Sequence, residues 1–490
     1  MLTRRSFLAS TLAAGAVSPG AAQTAASPPT VLRLERRTIE VNGKPAPVFR
    51  IGGPGGVAGL TAETGSQFRV RVENHIGAPS LIHWHGLTPP WRQDGVAGVS
   101  APPVPPGGHA DYDFPLTFGG TYWMHSHYQL QEQLLMTAPL IIRDPGASSG
   151  EQEIIVLLND FSFTPPSQIF AQLRKGQTVA AHAGHGGHMS MPPETAMPEM
   201  KPEGSRGMAG SAMAMPPGGA GPDLNDVKYD AFLANDRTLA DPEIFKAEAG
   251  GRVLLRIING SSMSNYHIVL GQLEGELTAV DGHPIVPVRG RVFPAAVAQR
   301  LDIRLTLPPG PGAYPVLAVL EGERKQSGVI VTAGGGAVAR LPELAEAPSL
   351  PLNLDLESQL RAAKPLNTRP VDRTHILNLT GDMGTYQWSI NNVAWTESTP
   401  PLEIKEGERV ELVFVNKTPM PHPMHLHGHV FQVAAIDGRR FPGAMRDTVL
   451  VPPKTSVTVA FDANNPGLWA LHCHLLYHLE AGMFATLRYV

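Results

Sequence analysis

The chain has one cysteine, Cys473, in 490 residues, so no disulfide can form within it. It also lacks any long apolar run beyond its first residues, and a helical membrane span needs roughly 20, so no span is expected. An excess of one charge is missing as well. Lysine and arginine number 39 against 43 acids, and no basic run follows the N-terminus, which argues against nucleic acid as a partner. What the chain does have is length and apolar content, with 42% of its residues hydrophobic. That is enough for roughly two to four domains with full cores.

Thr3-Arg4-Arg5-Ser6-Phe7-Leu8 is a twin-arginine pair ahead of the apolar stretch Leu8 to Val17, followed by Gly20-Ala21-Ala22-Gln23. Residues 1–26 therefore read as a Tat export signal, with the Tat machinery as a partner and the bacterial periplasm as the destination. That compartment permits disulfides, yet the chain builds none. Stability must come from something other than disulfides.

A pattern recurs three times: Gly, apolar residues at +3, +5 and +7, then Asn at +9, in Gly65 to Asn74, Gly250 to Asn259 and Gly407 to Asn416. Each copy alternates with period two and predicts a half-buried strand opened by a turn glycine. Counting on from the Asn reaches His83 and His85 in the first copy, Ile268 and Leu270 in the second, and His425 and His427 in the third. A second repeat leads from Gly120 to His125 and His127 and from Gly467 to His472 and His474, and its middle match from Gly312 reaches Leu317 and Val319.

The fold expected is all-β, as three Greek-key β-sandwich domains over 30–145, 150–335 and 350–490, the middle one without metal residues. Helix is minor, over Pro166 to Arg174 and Asn353 to Ala363, and Arg143 to Gly150 and Thr332 to Pro351 read as linkers. A single chain is taken as the working unit.

Cys473 stands between His472 and His474, with His478 and Met483 close behind. On a strand the two flanking histidines share one face and the cysteine takes the other. A thiolate, two imidazoles and a weak axial thioether describe a blue-copper electron-transfer centre. Cys473, His478 and Met483 supply three of these, and His422, three residues before His425, is the natural second imidazole. The pairs His83/His85, His125/His127, His425/His427 and His472/His474 offer eight more imidazoles. One His-x-His pair is weak evidence for a ligand set, but four in repeat register around a lone cysteine are strong evidence. Imidazole without carboxylate suits copper better than calcium or magnesium, and eight are enough for three ions.

His83-Trp84-His85-Gly86, His125-Ser126-His127, the run His422 to His429 and the run His472 to Met483 resemble the four copper motifs of the three-domain multicopper oxidases, across essentially all of the mature chain. The resemblance implies cupredoxin-like domains and four copper ions. Type 1 copper would be held by His422, Cys473, His478 and Met483, and type 2 by His83 and His425. The type 3 pair would be held by His85, His125, His127, His427, His472 and His474. It implies that electrons from Cu(I) or a phenol pass one at a time through Cys473 into His472 and His474, and that dioxygen becomes water. Asp94 resembles the family's acid near type 2 copper. Where relatives carry a further acid this chain has Leu476 and Leu479, so Glu480 is the nearest substitute.

A stretch over 176–222 interrupts the middle domain with His182, His185 and His188, then Met189, Met191, Met197, Met200, Met208, Met213 and Met215 among Gly, Ala and Pro. Thioethers prefer Cu(I). This stretch and Leu475-Leu476-Tyr477 resemble the copper-resistance protein A branch of the family, implying an accessory Cu(I) site and a role in copper tolerance. The competing class is a copper-sequestering or interaction protein on the same fold, which loss of a ligand would mark; all ten histidines and Cys473 are present.

Overall fold

The computed structural model describes residues 28–146, 150–176 and 224–490. The expected export signal and the stretch His182 to Met215 lie outside these residues. Six sheets pair into three β-sandwiches along the chain. In each, the repeat strand (Gln67–Asn74, Arg252–Asn259, Arg409–Asn416) lies parallel to the sandwich's first strand (Thr30–Val41, Gln152–Phe161, Arg373–Asp382). It runs antiparallel to its other neighbour (His109–Pro115, Arg300–Thr306, Ser456–Asp462). The same topology three times is what the repeat predicts.

The repeat residues act alike in all three copies. Gly65, Gly250 and Gly407 sit at φ of 83°, 72° and 83°, a turn conformation that favours glycine. Asn74, Asn259 and Asn416 are buried knots. Each Nδ2 donates to a carbonyl a few residues on (Ala78, Ser264, Met420) and to one on another strand or loop (Val104, Ala295, Val451). Each Oδ1 accepts the amide two residues ahead. The Asn pins the chain as it crosses from one sheet to the next.

The crossing delivers the histidines to the second sheet, on neighbouring antiparallel strands. His83 faces His125 directly across the Ile82–His85 and Gly120–Ser126 pair, and His425 faces His472 across His422–Leu426 and Leu468–Cys473. In the middle sandwich Ile268 faces Ala318. The counterpart of His125 is therefore Ala318, one residue on from the expected Leu317, because the Tyr266–Val269 and Gly312–Leu320 strands pair one residue out of step with that count. Ile268, Leu270, Ala318 and Leu320 are all core. The middle core is continuous with that of the third sandwich, whereas the first sandwich has its own.

Two further expectations need correction. The helix over Asn353 to Ala363 shrinks to Asp355–Gln359: Leu360 is extended, Ala362 bridges Ile285, and its amide donates to Gly443 O. Thr332 and Ala333 are still strand, the last residues of Gln326–Ala333, so the linker starts later. One short helix, Leu476–Glu480, was not expected, and it returns His478 to Cys473. Among the described residues no helix is long and apolar enough to cross a membrane.

Asn259→Ala tests the knot away from any histidine pair. It leaves three buried backbone groups without their partner and should lower the unfolding free energy by roughly 2–4 kcal/mol in thermal or urea melts. No change would show the knot to be dispensable.

Candidate metal centres

Cys473 ends its strand fully buried, with its amide donating to Met483 O at 3.1 Å. Its Sγ lies 3.6 Å from His422 Nδ1 and 3.9 Å from His478 Nδ1, and those nitrogens are 3.2 Å apart. The far nitrogen of each ring is taken: His422 Nε2 by Thr418 Oγ1 at 2.7 Å and His478 Nε2 by Asp226 Oδ2 at 2.9 Å. Three donor atoms thus converge, and the buried Met483 is tied by its backbone to both Cys473 and His478. Burial pushes the Cys473 thiol far up, so it becomes a thiolate only with a cation alongside.

The four histidine pairs meet between the first and third sandwiches and sort into three groups. His83 and His85 join His425; His85 and His125 join His474; His127 joins His427 and His472. His472 and His474, flanking the cysteine, thus enter two different groups. The expected type 1, type 2 and type 3 residues are all brought together.

Carboxylates and carbonyls set which ring nitrogen faces inward. His83 Nδ1 donates to Asp94 O at 2.9 Å, His427 Nδ1 to Asp94 Oδ2 at 2.9 Å and His425 Nδ1 to Asp447 O at 2.8 Å, which leaves Nε2 bare on His83 and His425 and turns that of His427 towards His472. His125 Nδ1 meets Glu132 Oε2 at 2.7 Å. His85 is turned the other way: Nε2 donates to Asp447 Oδ1 at 3.0 Å and Nδ1 is free. The inward His83 Nε2, His85 Nδ1, His125 Nε2 and His425 Nε2 are buried without a hydrogen-bond partner, as are both nitrogens of His474. A buried polar atom left bare is costly. A metal ion in each group would give the inward nitrogens, one from each ring, the partner they lack.

Asp94 therefore touches two histidines, while Glu480 is exposed at the rim of a cleft of about 460 Å³ that reaches His127, His472 and His474. Sequence reasoning missed Glu132, Asp226 and Asp447. Each meets its histidine through the fold, with no spacing signal; Asp447 lies 362 residues from His85. Behind Asp447 stands the buried Arg300 of the middle sandwich, whose Nη1 donates to it at 2.8 Å.

Comparison with known proteins decides the family. Models described as multicopper oxidase match residues 33–147, 206–334 and 368–490. The multicopper oxidase MmcO of Mycobacterium tuberculosis is 32% identical, the match covering 88% of this chain and 81% of that one. The chain belongs to the multicopper oxidases. Copper resistance protein A of Escherichia coli is 26% identical, with 93% and 89% covered. In fold this multicopper oxidase is similar to Fet3p, a multicopper oxidase that functions in iron import (TM-score 0.75, 19% identity, 94% and 90% covered), and to a multi-copper oxidase from Pseudomonas thermotolerans (0.67, 23%, 94% and 98%). As a multicopper oxidase the protein is an oxidoreductase using dioxygen, with type 1, type 2 and type 3 copper, and its bare imidazole nitrogens fit that cofactor.

Burial, reinforced by neighbouring imidazoles, holds His85, His125, His127, His425, His427 and His474 well below the usual range and His472 at about 4. Unfolded, these rings titrate near 6.5, so below that pH the unfolded chain binds more protons than the folded one. For copper-free protein, the urea midpoint should be flat above pH of about 6.5 and fall as pH drops towards 4. Bound copper should hold the midpoint up to lower pH. A flat profile in the copper-free protein would contradict neutral packing of these rings.

Proposed function

We propose that this oxidase takes electrons singly at a type 1 site of His422, Cys473, His478 and Met483. It spends four of them, with four protons, on reducing one dioxygen to two waters among His83, His85, His125, His127, His425, His427, His472 and His474. His83 and His425 take the type 2 position and the other six the type 3 pair. The working units are the three sandwiches, divided near 145–150 and 335–350. Copper, when bound, supplies the one-electron chemistry and the oxygen-reducing centre. The observation that carries the reading is the position of Cys473: its Sγ sits with His422 and His478, while its two chain neighbours belong to separate imidazole groups. The shortest covalent route between the two sites is this one peptide segment.

The rest of the chain orients and supplies protons. Asp94 holds His83 and His427 from one side and Asp447 holds His85 and His425 from another. On the cleft side, where Leu476 and Leu479 carry no proton, burial keeps the Glu132 carboxyl well above its usual range, against His125. The donor we propose is Cu(I), with copper tolerance in the periplasm as the task. The methionines and histidines of His182 to Met215, the twin-arginine segment and the similarity to copper resistance proteins support it.

Cys473→Ser should abolish the blue absorption and oxidase turnover, whereas His85→Ala should keep the blue band and lose oxygen uptake. A blue band surviving in Cys473→Ser would overturn the type 1 assignment. For the donor, oxygen uptake by copper-loaded protein with Cu(I) and with a methoxyphenol is compared between the full chain and one lacking His182 to Met215. The deletion should cut Cu(I) turnover severalfold and leave or raise phenol turnover. Equal turnover of Cu(I) in both would sink the Cu(I) entry role.

A further inference from the structure

Trp388 lies on the strand Gln387–Ile390, at the edge of the third sandwich's first sheet, far in sequence from every ligand motif. Its indole stacks on His478, with ring centroids 3.9 Å apart and planes at 28°, and meets His422 edge-on at 5.3 Å. The indole is fully buried and its Nε1 has no hydrogen-bond partner. Trp469, equally buried, does bond its Nε1, to Asn465 O at 2.7 Å. Packing alone therefore holds the Trp388 ring in place.

The seat for that ring is a glycine. Gly381 pairs with Trp388 across the two strands, and a Cβ there would lie 2.1 Å from Cε3 and 2.7 Å from Cζ3 of the indole. The backbone of Gly381 is not in the left-handed region, and the three atoms nearest to an added Cβ all belong to the indole. The Trp388 amide donates to Ala481 O at 3.3 Å, tying the strand to the end of the helix that carries His478. Tyr386, two residues earlier, bonds Asp226 Oδ2 at 2.5 Å, the same oxygen that accepts from His478 Nε2. The strand and the turn residue before it therefore grip His478 twice: by the face through Trp388 and by the edge through Tyr386 and Asp226.

We propose that Trp388, seated by Gly381, is a positioning residue that fixes the ring plane of His478 and raises the type 1 potential by keeping water off that face. The inference rests on the type 1 assignment above. A centre of one thiolate and two neutral imidazoles is neutral with Cu(I) and carries one positive charge with Cu(II). Apolar, water-free surroundings penalise the charged form and so favour the reduced one. Replacing the indole with a smaller side chain, or displacing it, lets water reach the ring and lowers the potential.

The test is redox titration of the blue band in copper-loaded full-length protein, with type 1 electron paramagnetic resonance recorded alongside. Trp388→Leu and Gly381→Ala should both lower the potential and alter the type 1 signal while the blue band persists. Trp388→Phe, which keeps an aromatic face, should fall between them and the unmodified protein. A potential and signal unchanged in both Trp388→Leu and Gly381→Ala, with the blue band present, overturns the proposal and leaves the type 1 assignment standing. No blue band in the unmodified copper-loaded chain overturns the assignment itself.

Discussion

His427 Nε2 and His472 Nε2 lie 2.9 Å apart, and His127 Nε2 is 3.2 Å from that same His472 nitrogen. His472 Nδ1 and His427 Nδ1 already bond Cys473 O and Asp94, so the rings present lone pairs to one another. Neutral imidazoles do not choose this arrangement, and protonation would be worse in so buried a site. A shared cation makes it favourable. On the proposed ligand assignment, copper binding and the docking of the first and third sandwiches are linked.

The middle sandwich contributes no histidine pair, yet it braces that interface through direct contacts. Arg300 reaches Asp447 of the third sandwich and Thr121 O on the strand bearing His125, while Asp281 meets Arg446. Charges buried this completely survive only when paired, so the network fixes one docked geometry rather than adding much stability. The absence of a side chain at Gly86 belongs to the same packing: a Cβ there would lie 2.6 Å from Arg300 and 2.7 Å from both Asp447 and Tyr122. The glycine that follows the first histidine pair makes room for the charges that orient His85.

What could be read from the sequence was what is local in it. Period-two alternation places His83 with His85 and His472 with His474, and the Gly-to-Asn repeat conveys three sandwiches of one topology. The repeat misled by one residue at Leu317, because strand register is set by partners that a single strand does not display. The helix Leu476–Glu480 escaped notice because one turn shows no periodicity, though His478 depends on it. Glu132, Asp226, Asp447 and Trp388 were invisible for a different reason. Each acts on a histidine through tertiary contact, and nothing in its neighbours distinguishes it from an ordinary buried acid or indole. Ligand sets are written in spacing; the residues that aim them are not.

The measurement that bears most directly on this account is the copper content of the purified, fully loaded chain, set against its blue absorption. Convergence of the histidine pairs into one interface cluster beside the Cys473 site predicts four copper ions per chain, only one of them blue. A single tightly held ion per chain, blue and removed by Cys473→Ser, would mean that the eight interface imidazoles do not assemble a cluster, and the oxygen-reducing centre as described would be wrong.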